Sequence, residues 1–106
     1  MRQETVITGL GLVLPCGTGI EAAGTSWETG TPCFAPLPEN LGSGLGAACT
    51  SFSASGIIPP MQSRRLDRPS RFAWVAAGQA FQDAGVDPAR LGLRLGVAVG
   101  TMTGGN

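Results

Sequence analysis

The chain has 106 residues, room for one ordinary domain and not for two. Seven basic and seven acidic residues cancel to a net charge of zero, which excludes a general electrostatic attraction to nucleic acid or to an anionic membrane surface. Charged residues make up only 13%, against about 25% in a typical soluble domain, and hydrophobic residues 42%, so the chain is short of the polar exterior a small domain needs; we read it as part of a larger body, either the first portion of a longer fold or one subunit of a close assembly.

No run of apolar residues is long enough to span a membrane. The N-terminal run VITGLGLVL follows Glu4 and a single arginine, Arg2, which is poor flanking for an export signal; VLPC at 13–16 loosely mimics a lipoprotein cleavage box, but Pro15 sits badly there. The three cysteines form no disulfide framework, which fits a reducing cytoplasm.

In chain order, TVIT at 5–8 reads as a buried strand ending near Gly9, with Gly9 and Gly11 turning the backbone after it. Thr18 and Glu21 have capping-box spacing, so Thr18 is the expected N-cap of a helix that carries Ile20, Ala23 and Trp27 and stops at Gly30. Residues 31–62 are rich in proline, glycine and serine and predict loops with one or two short strands, the best of them within 47–52; IIPP at 57–60 starts a turn. The clearest helix opens at Asp67 as cap, takes Pro69 in its first turn and runs through SRFAWVAAGQAFQDA to a stop at Gly85. Its apolar residues wrap most of the cylinder, which predicts burial on more than one side. A short turn, DPARL, leads to a second buried strand over 95–99, and the chain closes with TMTGGN. Strand, helix, helix, strand in that order predicts an α/β fold with parallel strands.

Four features bear on chemistry. GLG at 9–11 follows a predicted strand, but a dinucleotide fingerprint needs a third glycine where Leu14 stands, so the glycines are read as backbone devices. GAACTS at 46–51 resembles the seat of a reactive thiol. A nucleophilic cysteine needs a histidine or a helix N-terminus to lower its pKa, however, and the chain has no histidine and no helix plainly starting after Cys49. Cys49 is therefore read as a small residue on a strand; Cys16 and Cys33 meet the same objection, and the three lack the spacing or partners of a zinc site. RRLDRPSR gathers Arg64, Arg65, Arg68 and Arg71 in eight positions, either a solvated start to the long helix or a docking patch for an acidic partner. Finally, glycines in GTMTGGN follow the second strand, where they let backbone approach a ligand or another chain.

Three blocks, TVITGLGLVLPCGTGIEAAGTSWETG, RRLDRPSRFAWVAAGQAFQDAGV and RLGVAVGTMTGG, in this order and spacing resemble the N-terminal part of β-ketoacyl-carrier-protein synthases, with 31–62 poorly matched. The resemblance implies that 1–106 is the N-terminal portion of a thiolase-like layered αβαβα fold, incomplete in this chain. It implies a dimeric cytoplasmic enzyme that joins acyl and malonyl units by decarboxylative Claisen condensation, in fatty acid or polyketide synthesis, without a cofactor or metal. The family's catalytic cysteine and two histidines lie beyond the matched region, so no catalytic residue is expected here, and Cys49 stands too early in the chain to be the nucleophile. Arg64 and Arg65, before Leu66 and Asp67, match the family's basic positions for the acyl carrier protein, with Arg68 beside them. Met102 and Thr103 fall in the glycine-rich loop that borders the family's acyl pocket, where a small Thr103 leaves room for a longer or bulkier chain. The alternatives are the same region of a non-catalytic partner subunit, a chain-length factor, and a small independent binding or scaffold protein, which the scant charge disfavours. In either ketosynthase reading the chain needs the rest of the fold or a companion subunit, as a homo- or heterodimer.

Overall fold

Turn chemistry fixes the first ordered unit. The computed structural model describes residues 2–104, and in it Pro15 and Cys16 form the two-residue tip of a tight antiparallel hairpin between β1 (Val13–Leu14) and β2 (Gly17–Thr18). The ladder pairs Val13 with Thr18 and is prolonged by the Gly19 N–H donating to the Leu12 carbonyl at 2.8 Å. That pairing overturns the capping expectation. Thr18 is held in the hairpin, and the N-cap of helix α1 (Ile20–Thr29) is Gly19, which adopts φ 102° and offers no side-chain cap. Glu21 still falls in the first turn, where its charge favours the helix N-terminus. The stop at Gly30 is as expected: φ is 66°, and the N–H groups of Gly30 and Thr31 return to the carbonyls of Trp27 and Ser26.

A second hairpin, β3 (Ala35–Pro36) with β4 (Leu45–Gly46), occupies the variable segment. It stands just before the predicted 47–52 strand, and Cys49 follows it in a half-buried loop rather than on a strand. Past the buried Ile58, a single helical turn, α2 (Pro60–Ser63), forms where only a turn was predicted. Helix α3 (Arg68–Ala84) then has the predicted limits. The Asp67 Oδ1 accepts the Ser70 N–H at 2.8 Å, Pro69 lies in the first turn, and Gly85 ends the helix at φ 68°. Asp87 likewise caps the short turn Pro88–Arg90 through the Ala89 N–H at 3.0 Å.

The two predicted buried strands are the main correction. Neither 5–9 nor 95–99 carries a ladder among the described residues, and no parallel pair forms. A strand apolar on both faces is stabilised only inside a sheet that is itself covered; here Val6, Ile7, Val97 and Val99 are 72–83% exposed. Both segments instead lie against α3. They border an apolar groove of about 490 Å³ floored by Ala77, Ala80, Phe81 and Ala84 of that helix. Gly9 and Gly11 act here by close approach rather than by turning. A Cβ on Gly9 would lie 2.2 Å from the Ala80 carbonyl oxygen, and one on Gly11 would lie 1.7 Å from that of Ala76. The contact is locked by the Leu10 N–H donating to Asp83 Oδ2 at 2.9 Å and the Leu12 N–H to Gln79 Oε1 at 3.0 Å.

Burial is sparse. Of the described hydrophobic residues, Ala23, Ile58 and Val75 are buried, and Trp74 on α3 remains 42% exposed, so the helix is not covered on several sides by these residues. The accessible surface is 8760 Å², where a self-contained fold of this mass exposes about 5,500 Å². The radius of gyration is 16.3 Å, against about 13 Å for a compact domain of about 100 residues. Much apolar surface is thus left for other protein to cover.

Candidate functional site

The N-terminal end of α3 gathers the charged and glycine-rich features. α2 ends on Arg64, and the chain turns through Arg65 and Leu66 into the Asp67 cap. The four arginines divide into two kinds. Arg71 is half-buried and grips the Ser63 carbonyl with both Nε and Nη2, at 3.1 and 2.9 Å, which ties the end of α2 to the first turn of α3. The Arg68 guanidinium donates to the Cys49 carbonyl and lies over the Phe72 and Phe52 rings, 5.0 and 6.0 Å from their centroids. Those rings meet edge to face at 4.7 Å, so Arg68 fastens the 49–52 loop to the helix. Arg64 and Arg65 are exposed and make no ion pair among the described residues. Sequence clustering picked out all four; that two of them bind backbone carbonyls was beyond it, because their acceptors lie 8 and 19 residues away.

The glycine-rich loop comes to the same place. Val99, Gly100, Thr101 and Gly104 line a cleft of about 230 Å³ with Asp67, Pro69 and Ser70. The Thr101 hydroxyl accepts the Gly104 N–H at 3.2 Å and shapes the turn. Met102, 95% exposed, and the exposed Thr103 stand at its crest. The fold thus brings Arg64 and Arg65 and the 100–104 loop to one end of α3, although more than thirty residues separate them in sequence.

Asp67 carries a testable charge. Hydrogen bonding from Ser70, by its side chain first and its backbone N–H second, holds the Asp67 carboxyl below its ordinary value, with the Arg71 charge adding to the effect. A lowered folded-state pKa means that the stability contributed by this cap is present above the ordinary value of 3.8 and is lost as pH falls below it, through the lowered folded-state value. In the complete protein, wild type should therefore lose more of its unfolding midpoint than Asp67→Asn, which keeps a capping oxygen without the charge, as pH falls from about 5 to about 2. Parallel pH profiles for the two would refute the assignment.

The β-ketoacyl synthase N-terminal domain model matches residues 2–106. The chain belongs to the β-ketoacyl synthase family. Among its curated relatives, a putative polyketide β-ketoacyl synthase 1 of Streptomyces cyaneus is 34% identical over 97% of the chain and 26% of its own length. The ketoacyl synthase alpha subunit of the tetracenomycin polyketide synthase of Streptomyces glaucescens is 32% identical over 97% of the chain and 26% of its own length. The beta subunit of the same synthase is 34% identical over 78% of the chain and 21% of its own length. The chain spans about a quarter of the length of the curated relatives it matches. No solved structure gives a significant match. No helix among the described residues is long and apolar enough to cross a membrane.

Proposed function

We propose that this chain forms the N-terminal portion of a polyketide β-ketoacyl synthase that condenses acyl and malonyl units on an acyl carrier protein, with Arg64 and Arg65 as part of the carrier's docking patch. The observation that carries the reading is the family match over nearly the whole chain, with polyketide synthases as its relatives. The corner at the start of α3 supports the placement of the patch. Two exposed arginines that make no ion pair among the described residues stand at the same end of α3 as the glycine-rich loop, which on this reading borders the acyl pocket with Met102 and Thr103. Arg68 adds its charge to the patch while its guanidinium stays on Cys49. The two apolar segments flanking the α3 groove become covered strands of a layered α/β fold when the rest of the protein is present. The assembly on this reading is a cytoplasmic dimer.

The test is carrier binding by the complete synthase. Exposed charge contacts are worth about 0.2–1 kcal/mol each, so the double change Arg64→Ala, Arg65→Ala should weaken binding several-fold, chiefly through slower association. The effect should shrink as salt rises, since exposed charges are screened within about 10 Å at 0.1 M. Equal affinity of wild type and double variant at low salt would leave the arginines as a solvated corner.

A second reading, a non-catalytic partner subunit of the chain-length-factor type, is favoured by the likeness to the tetracenomycin beta subunit. Incubation of the complete protein with a labelled acyl carrier protein separates the two. Acyl transfer to a protein cysteine supports the catalytic reading, and a folded protein that pairs with a companion subunit but takes no acyl group supports the second.

A further inference from the structure

Cys16 and Cys33 are seventeen positions apart with no motif between them, yet both reach the last turns of α1. Cys16 is presented by the tip of the first hairpin, where Pro15 restricts the backbone beside it. Cys33 arrives on the chain that doubles back after the Gly30 stop. That return is well fixed: the Ser26 hydroxyl donates to the Thr31 carbonyl at 2.8 Å, the Thr31 N–H returns to the Ser26 carbonyl, and the hydroxyls of Thr29 and Thr31 meet at 2.8 Å. Cys33 Sγ then lies 3.4 Å from the Ser26 Oγ, while Cys16 lines a cleft of about 300 Å³ with the same Ser26. Both are free thiols, Cys16 exposed and Cys33 half-exposed.

We propose that Cys16 and Cys33 form a reversible thiol–disulfide site, oxidised by low-molecular-weight disulfides, in which Cys33 attacks first as nucleophile and Cys16 resolves. The Cys33 thiolate attacks one sulfur of the small disulfide, whose S–S bond breaks and releases one small thiol, leaving a mixed disulfide on Cys33. Cys16, losing its proton, attacks the Cys33 sulfur, forms the Cys16–Cys33 bond and expels the second small thiol. Two electrons pass from the protein thiols to the small disulfide, and the two protein protons end on the two released thiols. The order of events follows from the Ser26 hydroxyl, which lies 3.4 Å from Cys33 Sγ and is the donor nearest a thiolate there; the directions of the two thiol shifts agree with it. Interaction with the neighbouring Cys16 thiol first, and with the Ser26 hydroxyl second, pulls Cys33 below its ordinary value, while the same thiol pair pushes Cys16 up. The Ser26 hydroxyl, which rests on the Thr31 carbonyl, is within reach to turn toward a Cys33 thiolate. The closed bond would tie the hairpin tip to the loop leaving α1.

The test uses the complete synthase treated with oxidised glutathione under native conditions and digested by a protease that cuts after glutamate. Cleavage at Glu4, Glu21, Glu28 and Glu39 puts Cys16, Cys33 and Cys49 on separate peptides. The expected product is a cross-link between the Cys16 and Cys33 peptides, two hydrogens lighter than their sum and reversed by dithiothreitol. This pair should exceed any Cys33–Cys49 link, because Cys16 and Cys33 share Ser26 while Cys49 is held on α3 by Arg68. The preference should vanish when oxidation is done in urea. In Cys16→Ser, glutathione should remain on Cys33; because wild type alone reports the pairing, misfolding of that variant would not shield the proposal. Native wild type that accumulates glutathione on Cys33 without the cross-link, pairs Cys33 with Cys49 equally, or leaves Cys33 unmodified would overturn it. None of these outcomes depends on which ketosynthase reading is correct.

Discussion

Gly11→Val should severely destabilise the complete protein. Even the first carbon of a side chain at this position would fall 1.7 Å from the Ala76 carbonyl oxygen and 2.7 Å from its carbon. These are backbone atoms of a helix and cannot step aside as a rotamer can. The segment must lift off α3, which also pulls the Leu10 and Leu12 N–H groups from Asp83 and Gln79. Overpacking alone costs about 1–3 kcal/mol, and each lost backbone hydrogen bond adds about 0.5–1.5 kcal/mol. We expect a loss of at least about 3 kcal/mol in denaturant unfolding, with Gly24→Ala, where a Cβ meets nothing within 4 Å, as the mild control. A Gly11→Val protein with a wild-type midpoint would show that the segment does not rest on α3.

Arg71→Ala is expected to follow in severity. The side chain forks onto one carbonyl, that of Ser63, which also receives the Leu66 N–H at 3.2 Å. Hydrogen bonds from a charged donor are worth about 1.5–3 kcal/mol, and the one-turn helix α2 has little else to hold its angle to α3. Amide hydrogen exchange over residues 62–66 should quicken. On the proposed reading of the Arg64 and Arg65 patch, carrier affinity should also drop, although Arg71 itself lies outside the patch, because Arg64 and Arg65 lose their fixed direction. Arg71→Lys, with a single point of contact instead of a fork, should restore only part of the protection. Unchanged exchange in Arg71→Ala would show that the elbow is held by other means.

What could be read from the sequence was what neighbours in the chain decide. Asp67, Gly30, Gly85 and Asp87 end or begin helical segments because a side-chain oxygen or a left-handed glycine acts within three or four residues, and each was predicted in place. Thr18 shows the limit of that logic: its capping-box spacing was sound, but a hairpin with Val13 claimed it first. The runs 5–9 and 95–99 are apolar enough for strands, yet a strand is made by its partner, and no other described segment pairs with them. The site was legible as a cluster of arginines and a glycine-rich loop. Their convergence at one end of α3 depends on how the chain returns after Ala84, which no local pattern encodes. The meeting of Cys16 with Cys33 was missed for the same reason, since spacing alone offered no framework.

The Arg68 fastening has a consequence for how freely this region varies. The stretch after α1 is clamped at both ends, by the backward bonds at Gly30 and by the Arg68 guanidinium on Cys49, and between them β3 and β4 pair with each other. At the hairpin's far end, Gly42 and Gly44 point into open space, with φ 108° and 114°. Lengthening such a closed loop is cheap, about 0.6 kcal/mol for each doubling. Residues 42–44 are thus a natural place to splice in a short epitope or a fluorophore-binding tag without disturbing the corner where α3 begins.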